Sequence, residues 1–302
     1  MIWGVICSPA DVYHLGKPQP VNGLAALIAI WLLRRKRFYV DCDDDEVTSN
    51  RLTAGWQRAV FGFWQWLLPR LAAGVTVNTR FLERQVRAAG QRHVVYVPNG
   101  VSETWFTRPS ERSLAGLRAG LGLSGKQVIA YVGTLSLQNH PVDLLLEAFA
   151  LLSVQHPQLA LLIVGGGEDL ELLREQARTQ KLQDRVYFTG HVAYSAVPTF
   201  LALAAVSVDP VHDDVTARAR SPLKIVESLA LGVPVVTGDV GDRREMVGTG
   251  GSVVQPGDAA ALAGGVAVVL MTPQQPSSRS IEQFRWAALA KSWAVVYCVP
   301  AP

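Results

Sequence analysis

Lys224 and Glu227 stand three residues apart in the run Arg218-Ala219-Arg220-Ser221-Pro222-Leu223-Lys224-Ile225-Val226-Glu227. That spacing puts both side chains on one side of a helix. Ser221 is expected to cap the helix and Pro222 to open it, where a missing N–H costs nothing. A cation in a first turn opposes the helix dipole, so Lys224 calls for a reason. The free N–H groups there attract anions, phosphate above all. Lys224 closing over a diphosphate, with Arg218 and Arg220 just upstream, is one reading. Glu227 then has the right chemistry for vicinal hydroxyls such as those of a ribose, because a carboxylate accepts several hydrogen bonds. A surface Lys–Glu pair on an ordinary helix is the other reading.

Other groups with chemistry sit where strands are expected to end, the place where parallel α/β sheets bind ligands. Gly133 and Thr134, with the loop to His140, follow a strand at Val128. Gly165, Gly166, Gly167 and Glu168 follow the strand LALLIV; glycines there let backbone approach a ligand, or merely make a tight turn. Gly241 lies on the loop after VPVVTG. His14 and Lys17 close an early strand. Asp41, Asp43, Asp44, Asp45 and Glu46 form an acidic cluster, read as an Asp-x-Asp metal site, a loop facing an acceptor, or a solvated turn.

These residues require a scaffold of alternating strands and helices, hence a doubly wound parallel sheet. Strands are expected at Met1 to Cys7, 11–16, 38–42, 74–78 and 93–97, with helices at 23–35, 53–72 and 79–89. The turn Pro98-Asn99-Gly100 and a polar stretch over 102–126 end this series. A second begins at Val128, with helices at 142–153, 170–180 and 197–205 and strands at 159–164, 186–190 and 206–210. In the Lys224 helix, Leu223, Val226, Leu229 and Ala230 make one buried face, Gly232 caps it, and 233–237 is a buried strand. A helix at 259–270, the loop TPQQPSS and a last helix at 281–297 complete the chain.

The 302 residues are 49% apolar and 18% charged, which predicts packed cores rather than disorder. Cys7, Cys42 and Cys298 lie far apart without metal-site spacing, and fit a reducing cytoplasm. The net charge of +3 is uneven: residues 1–120 carry +6 and the remainder −3. A basic first half suits an anionic membrane surface or acceptor; it lacks the basic and aromatic pattern of a nucleic-acid binder. The apolar run 23–33 is too short to span a bilayer, which takes about 20 residues. Helix 53–72, rich in Trp, and the basic run Arg34 to Arg37 suggest peripheral contact with a membrane, or else core packing.

SPLKIVESLALGVPVV resembles the donor-site motif of glycosyltransferase family 4, retaining sugar transferases of the GT-B architecture. Glu227 matches the second of that family's two glutamates, the one that holds the ribose; the first falls on Ala219. A Ser-Pro-x-Lys in front of the glutamate marks one branch of the family. PNGVSETWF is similar to the segment where the family's first domain hands over to the second. The resemblance implies two Rossmann-like domains. The first is acceptor-side, residues 1–101 and shortened; 102–126 is a linker; 127–275 is the nucleotide-sugar domain; 276–302 holds a helix that crosses back. With a first domain of about 100 residues where about 150 is ordinary, Met1 reads as a late start or the chain as a truncation.

It also implies roles. Lys224 and Arg220 carry the diphosphate charge, because the family's Arg and Lys fall on Thr134 and on Asn139 or His140. Ser221, Pro222 and Leu223 open the helix, Gly133, Gly165, Gly166 and Gly241 line the donor, and His191 and Val192 present backbone groups to the base. His14 meets the acceptor. No metal and no cofactor beyond the donor substrate is implied. The function implied is sugar transfer to a saccharide or lipid-linked acceptor of the cell envelope. The alternative is a non-catalytic nucleotide-sugar-binding protein or partner subunit with a degenerate acceptor domain.

Overall fold

The computed structural model describes residues 2–7, 10–33, 35–272 and 281–298. Arg34 and most of the TPQQPSS loop lie outside them. The chain forms two compact α/β units, each around a parallel sheet. The first holds residues up to Asn99, Asp214–Ser221 and the segment from Ala287; the second holds Gly100–Asp213 and Pro222–Trp286.

The first unit runs α1 (Ile2–Cys7), β1 (Tyr13–Leu15), α2 (Pro20–Ala25), a π-helical stretch Ala26–Leu33, β2 (Phe38–Cys42), α3 (Gly55–Leu71), β3 (Gly74–Val77), α4 (Arg80–Ala88) and β4 (Val94–Tyr96). Its four strands lie in the order β1-β2-β3-β4. The run IWGVIC, expected as a strand, is helical and packs on Ala26–Leu33. A six-residue apolar run has no periodicity to decide between the two forms, and here tertiary contact decides. Gly23 has a packing reason: a Cβ there would fall 2.1 Å from the buried Trp64 ring of α3. Helix α3 buries only Trp64, Leu68 and Pro69, so most of its aromatic sequence faces outward.

The second unit runs from a 3-10 turn Glu103–Phe106 and α5 (Glu111–Gly120) to β5 (Gln127–Val132), α6 (Val142–Gln155), β6 (Leu159–Val164), α7 (Leu170–Thr179), β7 (Val186–Phe188), α8 (Val197–Leu201) and β8 (Val206–Asp209). The short α9 (Val215–Arg218) belongs to the first unit. The second unit resumes with α10 (Leu223–Ala230), β9 (Val235–Gly238), α11 (Arg243–Val247), β10 (Gly251–Val254) and α12 (Ala259–Met271). Residues 102–126 are therefore structured, contrary to the linker reading. Ser110 caps α5 by accepting from the Ser113 amide at 3.3 Å, and Trp105, Leu114 and Leu123 are buried in this unit. The last helix is shorter than expected, Trp286–Ala294 followed by a 3-10 turn Val295–Tyr297, and from Ala287 it belongs to the first unit. Among the described residues no helix is long and apolar enough to cross a membrane.

The six strands of the second sheet lie in the order β10-β9-β8-β5-β6-β7. From β5 the chain builds outward through β6 and β7, then returns to β8 and builds the other way. The order reverses between β5 and β8, where a doubly wound sheet opens its ligand crevice. These two strands pair only at Ile129↔Val206 and Ala130↔Ser207. Past that register Tyr131 and Asp209 stand at the opening.

Candidate functional site

Asp209 is the charged end of β8, a strand buried throughout, and is 2% exposed. Thr237, its register partner on β9, donates to Oδ2 at 3.0 Å. Arg243 of α11 donates its Nε–H to the same oxygen at 2.9 Å. Lys224 of α10 brings Nζ to 3.2 Å from Oδ1 and to 4.5 Å from the centre of the Tyr131 ring. Burial pushes the Asp209 carboxyl up, but Arg243 and Lys224 outweigh it and hold it well below the usual carboxylate range. Burial likewise opposes the Lys224 charge, and Tyr131 and Asp209 overcome it, raising its pKa. Two cations thus share one buried carboxylate at the sheet's switch point.

Glycine makes the room in front of Lys224. Gly133, after β5, has φ +154°, and a Cβ on it would lie 2.9 Å from the Tyr131 hydroxyl oxygen and 3.4 Å from Lys224 Nζ. Gly165, after β6, is closer still: its Cβ would meet the Gly133 carbonyl oxygen at 2.0 Å. Gly166 carries the His191 ring against it, so the loops after β6 and β7 meet there. The exposed Thr134 takes part through its carbonyl, which accepts from Tyr131 at 3.0 Å. His140 closes the turn before α6, its amide bonded to the Ser136 carbonyl at 2.8 Å. Val192 is half-buried against the core beside α10. Gly241, exposed at φ +59°, precedes α11 and so sets the start of the helix that carries Arg243.

Helix α10 differs from expectation at its start. Leu223 is its first residue and Pro222 the cap position, whose side chain makes no cap hydrogen bond. Ser221 does not cap it; its hydroxyl accepts from the Asn99 amide at 3.1 Å, and its carbonyl accepts from the Asn99 side chain at 2.8 Å. Those bonds lie in the first unit, which the chain leaves after each of these residues. The helix ends as expected at Gly232, φ +76°, with Val233 N–H on the Ser228 carbonyl and Gly232 N–H on that of Leu229. One turn in, Glu227 is 6% exposed and accepts from the Tyr194 hydroxyl at 3.0 Å; Trp105 Nε1–H donates to that hydroxyl at 3.1 Å. Burial pushes the Glu227 carboxyl up, partly offset by Tyr194 and Lys224.

The remaining expected residues belong to the first unit. Arg220, expected beside Lys224 on a diphosphate, has its Nε 3.5 Å from Asp44 Oδ1. Lys17 lies 2.8 Å from Asp44 and 3.1 Å from Asp43. Asp45 accepts from Thr48 and from Gln65, and Glu46, fully buried, from Gln19 and Asn50. Among the described residues, no group of three or more His, Cys, Asp or Glu is placed to hold a metal ion. His14, expected at a strand end, lies mid-strand and half-buried under the C-terminal segment. Its Nδ1 is 2.7 Å from the Tyr297 hydroxyl and its ring 5.5 Å from that of Trp293. Burial lowers its pKa.

The sequence reading missed Asp209, Tyr131, Arg243 and Tyr194. Only Asp209 left a trace: a carboxylate in the otherwise buried run VSVD is a charge that needs a partner.

The family model described as "Glycosyl transferases group 1" matches residues 126–271. The chain is 30% identical over 202 residues to the GDP-mannose-dependent alpha-(1-6)-phosphatidylinositol monomannoside mannosyltransferase of Mycolicibacterium smegmatis, covering 66% of this chain and 52% of that protein. It is 31% identical over 260 residues to the glycogen synthase of Mycobacterium tuberculosis, covering 82% of this chain and 59% of that one. The chain thus spans about half the length of the curated relatives it matches. Anabaena HepE, solved in complex with UDP and glucose, superposes with a TM-score of 0.80 at 20% identity, over 98% of this chain and 80% of that one.

Proposed function

We propose that this chain, whose residues 126–271 match the glycosyl transferases group 1 family model, is a retaining glycosyltransferase using a nucleoside-diphosphate sugar. The observation that carries this reading is Lys224: a charged ammonium with 11% of its side chain exposed, beside the glycine-lined opening of a switch-point crevice, one helical turn before Glu227. The first turn of α10 adds main-chain donors for the same anion. In this scheme the diphosphate leaves as its charge is met by Lys224 and those amides, stabilisation that grows as the bond breaks. Glu227 holds the ribose hydroxyls, and Gly133, Gly165 and Gly166 admit the donor. The leaving diphosphate, not a protein carboxylate, assists removal of the acceptor proton. No metal is needed for this division of labour.

The acceptor proposed is a saccharide or lipid-linked saccharide of the cell envelope, met by the first unit at an anionic membrane surface. Trp31, Leu32 and Leu33 are exposed beside exposed Arg35, Lys36 and Arg37, and Trp56, Phe63 and Trp66 of α3 are exposed as well. Tryptophan favours the bilayer interface, and each cation near anionic lipid adds about 1 kcal/mol. The covered His14 favours a second reading, a nucleotide-sugar-binding protein without transfer activity. Calorimetry tests the donor site: UDP or GDP should bind with millimolar to micromolar Kd, roughly −4 to −8 kcal/mol. Lys224→Ala should weaken the diphosphates far more than uridine or guanosine. Equal loss for both would refute the phosphate assignment, and sugar transfer to envelope lipid extracts separates the two readings.

A further inference from the structure

The cation of the proposed phosphate site is a long, flexible side chain, and such a side chain binds well only when its ordering is done beforehand. Four elements supply that ordering. Asp209 ends β8 beyond the pairing with β5, while still in register with Thr237 of β9, so its carboxylate stands where β5 and β8 part. Thr237 and Arg243 both donate to Oδ2, which fixes the carboxylate's rotation and turns Oδ1 toward Lys224. Lys224 Nζ is then bounded by Oδ1 at 3.2 Å and the face of the Tyr131 ring at 4.5 Å. Its remaining direction is toward the space that the missing side chain of Gly133 leaves, where a Cβ would lie 3.4 Å from Nζ. Arg243 is 4% exposed and its guanidinium donates to Asp209 and to the Val240 carbonyl, so it is engaged with the protein.

We propose that Asp209 is the positioning residue of the donor site: pinned by Thr237 and Arg243, it aims the Lys224 ammonium over Gly133, where a phosphate oxygen of the ligand docks. This rests on the donor-site reading above. The charged and titratable groups facing Lys224 are Asp209 from β8, Tyr131 from β5, Arg243 from α11 and Glu227 from its own helix. Without the carboxylate, Tyr131 alone opposes the desolvation that lowers the pKa of Lys224.

Asp209→Asn alone strands Arg243 in the core and is expected to destabilise the chain. The decisive variant is therefore Asp209→Asn with Arg243→Gln, confirmed folded by circular dichroism. The probes are UDP and GDP against uridine and guanosine, by calorimetry on the full chain. The double variant should bind the diphosphates at least tenfold more weakly at pH 7, while the nucleosides change less than twofold. Its diphosphate affinity should fall further between pH 7 and pH 9.5, where the wild type stays flat. Adding Asp209→Asn with Arg243→Gln to Lys224→Ala should cost diphosphate affinity nothing more. Diphosphate binding within twofold of wild type, an equal loss for nucleosides, or an additive effect on top of Lys224→Ala would each overturn the inference. A wild-type chain that binds neither UDP nor GDP would overturn the proposed function itself, and this inference with it.

Discussion

Replacing Glu227 by Gln should weaken ligand binding and stabilise the fold at once. The side chain is 6% exposed and its Oε1 accepts from Tyr194 at 3.0 Å. Glutamine keeps the shape and an oxygen for Tyr194, but loses the charge. Hydrogen bonds to a charged acceptor contribute about 1.5–3 kcal/mol against about 0.5–1.5 for a neutral one. The difference, about 1–2 kcal/mol, is roughly 5- to 30-fold in Kd. Because the ribose is common to both, uridine and UDP, or guanosine and GDP, should lose equally. Stability moves the other way. The Glu227 carboxyl has its pKa raised in the folded chain, so the folded state keeps a proton that the unfolded state releases. Wild-type stability then falls as pH rises from about 4.5 through the raised folded value. Glutamine has no such slope. The variant's advantage in a urea unfolding series should be small at pH 4, grow through that window and level off above it. Wild-type nucleoside binding should also decline as pH drops through the same window, while the variant's binding stays flat. A loss confined to the diphosphates, or a stability difference independent of pH, would refute the reasoning.

Asp41, pushed up to about 6 mainly by burial and bonded to Thr76 at 2.5 Å, obeys the same sign rule. Asp41→Asn should leave stability unchanged near pH 4 and raise it at pH 8 by up to about 3 kcal/mol, read from denaturant midpoints. The purified chain should float with anionic vesicles at low salt and less at high salt, and Trp31→Ala with Trp56→Ala should reduce the floating fraction; no flotation with any vesicle composition would end the membrane proposal. UDP or GDP affinity should be unchanged by chelator or by added Mn²⁺; a strong dependence on Mn²⁺ would bring the acidic run Asp41 to Glu46 back as a metal site.

What sequence could show divided along a physical line. The Lys224–Glu227 pair was legible because one helical turn fixes it, and Gly133 and Gly165 because each ends a strand with recognisable apolar character. The Asp209 cluster was not, since its partners come from positions 131, 224, 237 and 243 on four separate elements. The packing around His14 was hidden for a similar reason: what covers it, Tyr297, lies 283 positions away. Helix α5 was hidden by composition, because Gly116 and Gly120 lower helix propensity by about 1 kcal/mol each and resemble a linker. Its stability comes instead from the Ser110 cap and from burying Leu114. The α1 segment was undecidable at six residues. The alternation of strands and helices, which depends on period alone, carried through both units.

The first unit is stitched from three separated stretches of chain, and this bears on how the protein is made and taken apart. During synthesis, residues up to Asn99 emerge long before Val296, whose carbonyl lies 2.9 Å from the His93 ring nitrogen, and before Tyr297, which packs on His14 and Tyr39. Until residues beyond 286 are made, His14, Tyr39, Gly74 and His93 of this unit lack the cover of Val296 and Tyr297, an aggregation hazard during translation. The second unit is interrupted only by Asp214–Ser221 and can settle earlier. An expression fragment cut at a sequence boundary such as 101 would therefore isolate a sheet without its cover. A faithful dissection would have to carry the C-terminal segment along, joined to the first unit through a new connection.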